Sequence, residues 1–247
     1  MPKFCANLTM LFTELPFLER FGAARSAGFE AVEVLFPYDV AVPDVVDMLS
    51  RNDLPLALIN CPPPNYTGGE RGFAAVPGSR FRQDFKRSVR YAKAMGAQHL
   101  HIMAGNASGA EAKATFAENL RWAAAEAPHQ SLTIEPINQD DMPGYFLSDF
   151  DLAAEVITTV NAPNLRLQFD AYHAQKITGD VLGTWGKFAG ITAHVQVGQT
   201  PNRTAPDQSD IDYAAFFAAL DAGGYTGWVS GEYTPADRTD MCLDWIK

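Results

Sequence analysis

A chain of 247 residues, 47% hydrophobic and 19% charged, can fill one sizeable core, and that composition excludes a disordered or fibrous protein. Nineteen basic residues against 29 acidic ones leave a net charge of -10, which repels a phosphate backbone and excludes nucleic acid as a partner, while a small anion can still be held by local cations. Three cysteines without a CxxC pair give neither a disulfide framework nor a thiolate metal site; with no apolar run of roughly 18 residues and no apolar signal segment, a reduced, cytoplasmic protein without a membrane partner is expected.

Along the chain, short β-branched or apolar runs alternate with longer amphipathic stretches, as in a parallel sheet crossed by helices. A strand over 3–7 precedes a helix over 18–27, a strand over 31–35 a helix over 42–51, and a strand over 56–60 a helix over 81–95. Strands over 99–103 and 131–135 are followed by helices over 112–125 and 150–160. Further strands are predicted over 165–170, 191–197 and 228–232, with a helix over 213–222 before the last. Eight strands predict a (β/α)8 TIM barrel, and the absence of a linker or charge run makes residues 1–247 one domain. Gly28, Gly96 and Gly223 follow helical runs, where a residue with positive φ is expected. The longest irregular stretches, 61–79 and 198–212, follow the third and seventh strands, on the face where such barrels hold their chemistry.

Four residues end apolar runs at this face: Glu135 in LTIEP, Asp170 in LRLQFD, Gln196 in TAHVQV and Glu232 in WVSGE. Their separations match one βα unit apiece, so neighbouring strands would deliver four oxygen ligands to one rim. A single such acid often merely caps a loop or pairs with an arginine. Four together, without thiolate or imidazole, suit a hard divalent cation, Mg2+ first and Mn2+ next. No P-loop, no GxGxxG opening a helix and no GxSxG occurs, so neither a nucleotide cofactor nor an activated serine is indicated.

The segments NLTMLFTELPFLERF, AVEVLFPYD, GERG, EPINQDDMPGYFL, NLRLQFDAYHAQ and HVQVGQTPNR together resemble the hydroxypyruvate isomerase family. That family lies within the xylose-isomerase-like barrels, also called AP-endonuclease-2-like, and includes 2-oxo-tetronate isomerases. The resemblance implies a metal held by Glu135, Asp170, Gln196 and Glu232, with Glu135 and Glu232 as the proton-transfer pair. It also implies interconversion of hydroxypyruvate and tartronate semialdehyde, or of a four-carbon 2-oxo acid, through a metal-stabilised enediolate. Related ketose epimerases carry His where this chain has Gln196, which favours the isomerase branch. Similar barrels form dimers or tetramers, so a homo-oligomer is expected.

His173, three residues past Asp170, is placed to bond a substrate oxygen or support a metal ligand, and a satisfied structural histidine is the alternative. His194 shares a strand face with Gln196 and should point into the barrel. Arg203 resembles the arginine that follows the metal-binding strand in this family, and its planar fork suits a substrate carboxylate. Beyond it the chain departs from the family, with Thr204 and Ala205 where an acidic residue or histidine is common. Glu70 and Arg71 belong to a loop able to close over the substrate, or else form an ion pair of their own. Glu33, His101, Asn138 and Tyr145 are further polar candidates around the barrel mouth. The competing readings are a ketose epimerase, a metal-dependent endonuclease and a sugar-binding barrel without turnover.

Overall fold

Eight parallel strands form a single sheet in the computed structural model, which describes residues 2–61, 71–207 and 209–247. They are β1 (Lys3–Asn7), β2 (Ala31–Glu33), β3 (Leu58–Asn60), β4 (His99–His101), β5 (Ser131–Ile134), β6 (Leu165–Asp170), β7 (Thr192–Val197) and β8 (Trp228–Gly231). The order β2-β1-β8-β7-β6-β5-β4-β3 runs once around the ring. A bridge between Val32 and Leu56 brings its two ends together, with Val34 donating to the Leu58 carbonyl at 3.1 Å and Asn60 to that of Leu35 at 2.8 Å. The result is the expected TIM barrel.

The helices are α1 (Arg20–Ala27), α2 (Val42–Arg51), α3 (Arg80–Met95), α4 (Gly109–Glu126), α5 (Phe150–Val160), α6 (Ala171–Thr178), α7 (Val181–Phe188) and α8 (Tyr213–Ala222). Gly28 and Gly96 end α1 and α3 with φ of 101° and 70°, the left-handed turn that glycine adopts without steric cost. Gly223 departs from expectation: its φ is -78°, because its N–H continues the helical pattern onto the Ala219 carbonyl at 3.0 Å, and Gly224 makes the left-handed turn at 68°. The helices α6 and α7 were not read from the sequence. Each has its own cap: the carboxylate of Asp170 accepts from Tyr172 N–H at 2.8 Å, and that of Asp180 from Gly183 N–H at 2.8 Å. Among the described residues no helix is long and apolar enough to cross a membrane.

Two kinds of interior result. Between sheet and helices lies an apolar core in which Phe21, Phe85, Phe116, Phe169 and Phe216 are fully buried. Each such ring stabilises the fold by roughly 1.5–3 kcal/mol. The barrel lumen is polar instead. Asn7, Glu33, His101, Thr133, Gln168, His194, Gln196 and Ser230 are all buried, and Glu33 on β2 bonds His194 on β7, a contact between strands that are not neighbours in the sheet. A polar group removed from water must be met by another polar group, so these side chains form a network that leads to the rim.

The loop between β7 and α8 is pinned rather than free. Gln199 and Thr204 exchange backbone hydrogen bonds of 2.8 and 3.1 Å, and the Gln199 amide reaches Asp207 and the Ile211 carbonyl. This turn holds Arg203 in a left-handed conformation, φ 53°, and aims its side chain back toward the barrel.

Candidate active site

Glu135 and Glu232 each follow directly the last residue of a strand, β5 and β8, while Asp170 ends β6 and Gln196 is the penultimate residue of β7. Asp170 and Gln196 are still paired in the ladder while Glu135 and Glu232 have just left it, and all four are buried at this rim. The Arg203 guanidinium bridges two of them, with Nη2 2.6 Å from Asp170 Oδ2 and 2.8 Å from Glu232 Oε1. Its Nε donates to the Glu232 carbonyl at 3.1 Å, and its plane lies 5.1 Å from the Tyr172 ring centre. Glu232 Oε2 accepts from the Gln196 amide.

Burial dominates the proton affinities. It raises Glu135 well above the usual carboxylate range, with the nearby charges of Glu232 and Asp170 adding to the effect. Glu232 is pushed up to about 8 by burial, although Arg203 favours its ionised form. Asp170 is raised by burial, against the pull of Arg203. Burial opposes the charge on Arg203, yet Glu232, Asp170 and Glu135 outweigh it and hold the guanidinium protonated. Three carboxyls with raised proton affinity thus share one rim, an arrangement able to hold and release protons.

Two histidines face these acids, and their hydrogen bonds fix their tautomers. Asn138 Oδ1 accepts from Asp141 N–H at 3.0 Å, so its NH2 is the group that meets His173 Nδ1 at 2.7 Å. His173 therefore carries its proton on Nε2, 3.7 Å from Asp170 Oδ2. Burial, helped by Arg203, holds its pKa well below the usual value, so it is a neutral donor. His101 is the opposite case. Asn60 Oδ1 takes its Nδ1 proton at 3.1 Å, which leaves Nε2 a bare acceptor 3.7 Å from Glu135 Oε2. Burial lowers His101 to about 3.

His101 Nε2 and Glu135 Oε1 are buried polar atoms without a hydrogen-bond partner among the described residues. Native interiors rarely leave such atoms unmet, so an orphaned carboxylate oxygen marks a place for a ligand. Glu135, Asp170 and His173 bring ligand atoms within 4.8 Å of one another, a buried group able to hold a metal ion. A hard cation fits the carboxylate oxygens of this set.

The structure thus gathers Glu135, Asp170, Gln196, Glu232, His173, Arg203, His101 and Asn138 at one end of the barrel. Gln196 turns its NH2 toward Glu232 and its oxygen toward Gln168 Nε2 at 2.6 Å. Tyr145 is committed elsewhere, its hydroxyl accepting from Ala104 N–H at 2.8 Å. Arg71 is half-buried beside the Gly72–Ala104 bridge, and Glu70 lies outside the described residues. Sequence reasoning missed Thr133, Gln168, Asn60 and Tyr172. The first two were within reach, because each stands two residues before a rim acid and so shares its strand face.

Comparison with known proteins agrees with this geometry. A sequence model of the xylose isomerase-like TIM barrel family matches residues 21–247. The chain is similar along all of its length to the 2-oxo-tetronate isomerase of Cupriavidus necator, at 42% identity and 98% of that protein. It is 37% identical, again over its whole length and 98% of the relative, to the hydroxypyruvate isomerase of Escherichia coli. A crystal structure from Brucella melitensis, described as an AP endonuclease of family 2, matches with a TM-score of 0.96 at 40% identity, covering 100% of this chain and 98% of that one. Barrel, rim and sequence together make this chain a member of the xylose isomerase-like TIM barrel family.

Proposed function

We propose that this isomerase acts on a small 2-oxo or hydroxy sugar acid, interconverting hydroxypyruvate and tartronate semialdehyde or the corresponding four-carbon pair. The orphaned Glu135 oxygen beside Asp170, Arg203 and Glu232 carries the reading, since an enediolate needs both a proton acceptor and positive charge at one point. Relatives named for both substrates lie at comparable identity, and one CH(OH) more or less changes discrimination by only a few kcal/mol.

Glu135 and Glu232 transfer the proton between adjacent substrate carbons, one as base and the other as acid. Their raised proton affinities keep both within reach of protonation near neutral pH. Arg203 holds Glu232 in position and sets a fixed positive charge next to the acidic substrate. His173 donates to a substrate oxygen, and His101, with its bare Nε2, accepts from a substrate hydroxyl. Asn138 keeps His173 in the donating tautomer. A divalent cation, Mg2+ or Mn2+, would be held by the carboxylates of Glu135, Asp170 and Glu232; Gln196, expected as a fourth ligand, instead gives its oxygen to Gln168 and its NH2 to Glu33 and Glu232, and the cation when bound would supply positive charge to the enediolate. The net charge of -10 disfavours the endonuclease activity named for the Brucella protein, because a DNA backbone would be repelled.

Proton NMR of hydroxypyruvate and of a four-carbon 2-oxo acid in D2O, with Mg2+ or with chelator, tests the reading. Conversion with deuterium entering at carbon is expected for at least one of them. Failure of both substrates in both conditions would remove the proposal.

A further inference from the structure

The most unusual group in the lumen is Glu33. TIM barrels fill this space mainly with branched apolar side chains, and a carboxylate wholly removed from water is tolerated only when its lone pairs are met. Glu33 is 0% exposed. Its Oε1 accepts from Asn7 Nδ2 at 2.8 Å and from Gln196 Nε2 at 2.9 Å, and its Oε2 lies 2.7 Å from His194 Nε2. Were Glu33 only a core residue, an apolar side chain would serve with less cost.

Its connection to the rim runs through one amide. Gln196 is gripped at both ends: its oxygen accepts from Gln168 Nε2 at 2.6 Å, and Gln168 in turn accepts from the Thr133 hydroxyl at 3.1 Å. Its NH2 is shared between Glu33 and Glu232. The two N–H bonds of a planar amide diverge by a fixed angle, so holding one of them determines where the other points. Glu232 has Arg203 on Oε1 at 2.8 Å and Gln196 on Oε2. One of the two donors that orient this carboxyl therefore depends on Glu33.

We propose that Glu33 is a positioning residue for Glu232: it takes one N–H of Gln196 and thereby aims the other at the proton-transfer carboxyl. This rests on the assignment of Glu232 to proton transfer made above. Supporting groups of this kind act by keeping a reacting side chain in its productive orientation, so their loss shows in turnover more than in substrate binding.

The test compares wild type, Glu33→Gln and Glu33→Asp by steady-state kinetics and by the exchange rate of the Gln196 side-chain amide protons in NMR, that pair being assigned by its loss in Gln196→Met. Glu33→Gln keeps the shape and removes the charge; Glu33→Asp keeps the charge and shortens the reach, and supplies the result should the first variant not fold. Expected for Glu33→Gln are a fall in kcat of at least tenfold, a KM changed by less than threefold, and faster exchange of the Gln196 amide. A smaller kcat loss is expected for Glu33→Asp. Unchanged kcat per folded molecule with only a lowered melting temperature would make Glu33 a core residue and overturn the inference, as would an unaltered Gln196 amide signal. Wild-type protein without turnover would overturn the functional reading instead, and the amide signal would then decide whether Glu33 holds Gln196.

Discussion

Raising the pH from 7 to 8 should weaken the cation-free fold, and a divalent cation should abolish that effect. Glu232 has a native pKa near 8 against an ordinary value of 4.5. In this interval the unfolded chain has already lost the proton that the native state still binds, so stability falls as pH rises. The loss is about 1 kcal/mol between pH 7 and 8 for Glu232 alone, or roughly 2–4 °C in melting temperature for a chain of this size. Glu135, raised well above its usual value by burial, acts in the same direction. The interval matters because the histidines oppose the acids at lower pH. His99 and His101 are lowered to about 3 by burial, and His173 is lowered too. Below about pH 6.5 the unfolded state takes up protons that these rings refuse, which costs stability as pH falls. Stability of the chelated protein should therefore pass through a maximum between about pH 6 and 7. Thermal unfolding in chelator at half-unit steps, repeated in Mn2+, measures this. Bound cation favours the ionised carboxylates, so the decline above pH 7 should flatten or reverse. A melting temperature that stays level or climbs from pH 7 to 8 in chelator would refute the argument that these acids retain protons in the native state.

Three other perturbations have defined outcomes. Glu135→Gln and Glu232→Gln should each lower kcat by about 10²–10⁴ while the melting temperature holds or rises, because an amide relieves the desolvation of a buried acid; calorimetry beside the D2O assay checks both halves. Arg203→Lys restores the charge but not the fork that reaches Asp170, Glu232 and the Glu232 carbonyl together, so kcat/KM should fall by at least about tenfold. Gly72→Ala places a Cβ 2.3 Å from the Met103 carbonyl oxygen at a φ of 90°, and a loss of at least about 2 kcal/mol should appear in denaturant unfolding.

The strands were legible because seven of the eight begin within one residue of the predicted start, in runs that the fold buries. The far ends of β2, β4, β5 and β8 were overextended, by one or two residues, and at β5 and β8 the reason is physical. Residues such as Glu135 and Glu232 continue the apolar run in sequence, yet they have left the ladder so that their carboxyls can face the rim. The helices α6 and α7 escaped notice because each has only eight residues and α6 starts at Ala171, directly after the last residue of β6. A helix capped by a strand-end acid looks like a continuation of the strand until the backbone turns.

The site divides along a similar line. Spacing alone was enough to bring Glu135, Asp170, Gln196 and Glu232 to one rim, since consecutive βα units deliver consecutive strand ends there. What spacing does not encode is which end of an amide or which nitrogen of an imidazole faces a neighbour, because partners such as Asn60 and Asn138 come from other strands and loops. One signal did lie in the sequence. Thr133, Gln168 and His194 each stand two residues before a rim residue, between apolar neighbours on either side, and in a strand that interval selects a single face. Three polar residues on the inward face of three consecutive strands imply a polar lumen, and a polar lumen demands partners from across the barrel. Glu33 on β2 partners His194 and Gln196 from across the barrel and is itself met by Asn7 on β1, so the network beneath the acids follows from the same period of two that places the acids themselves.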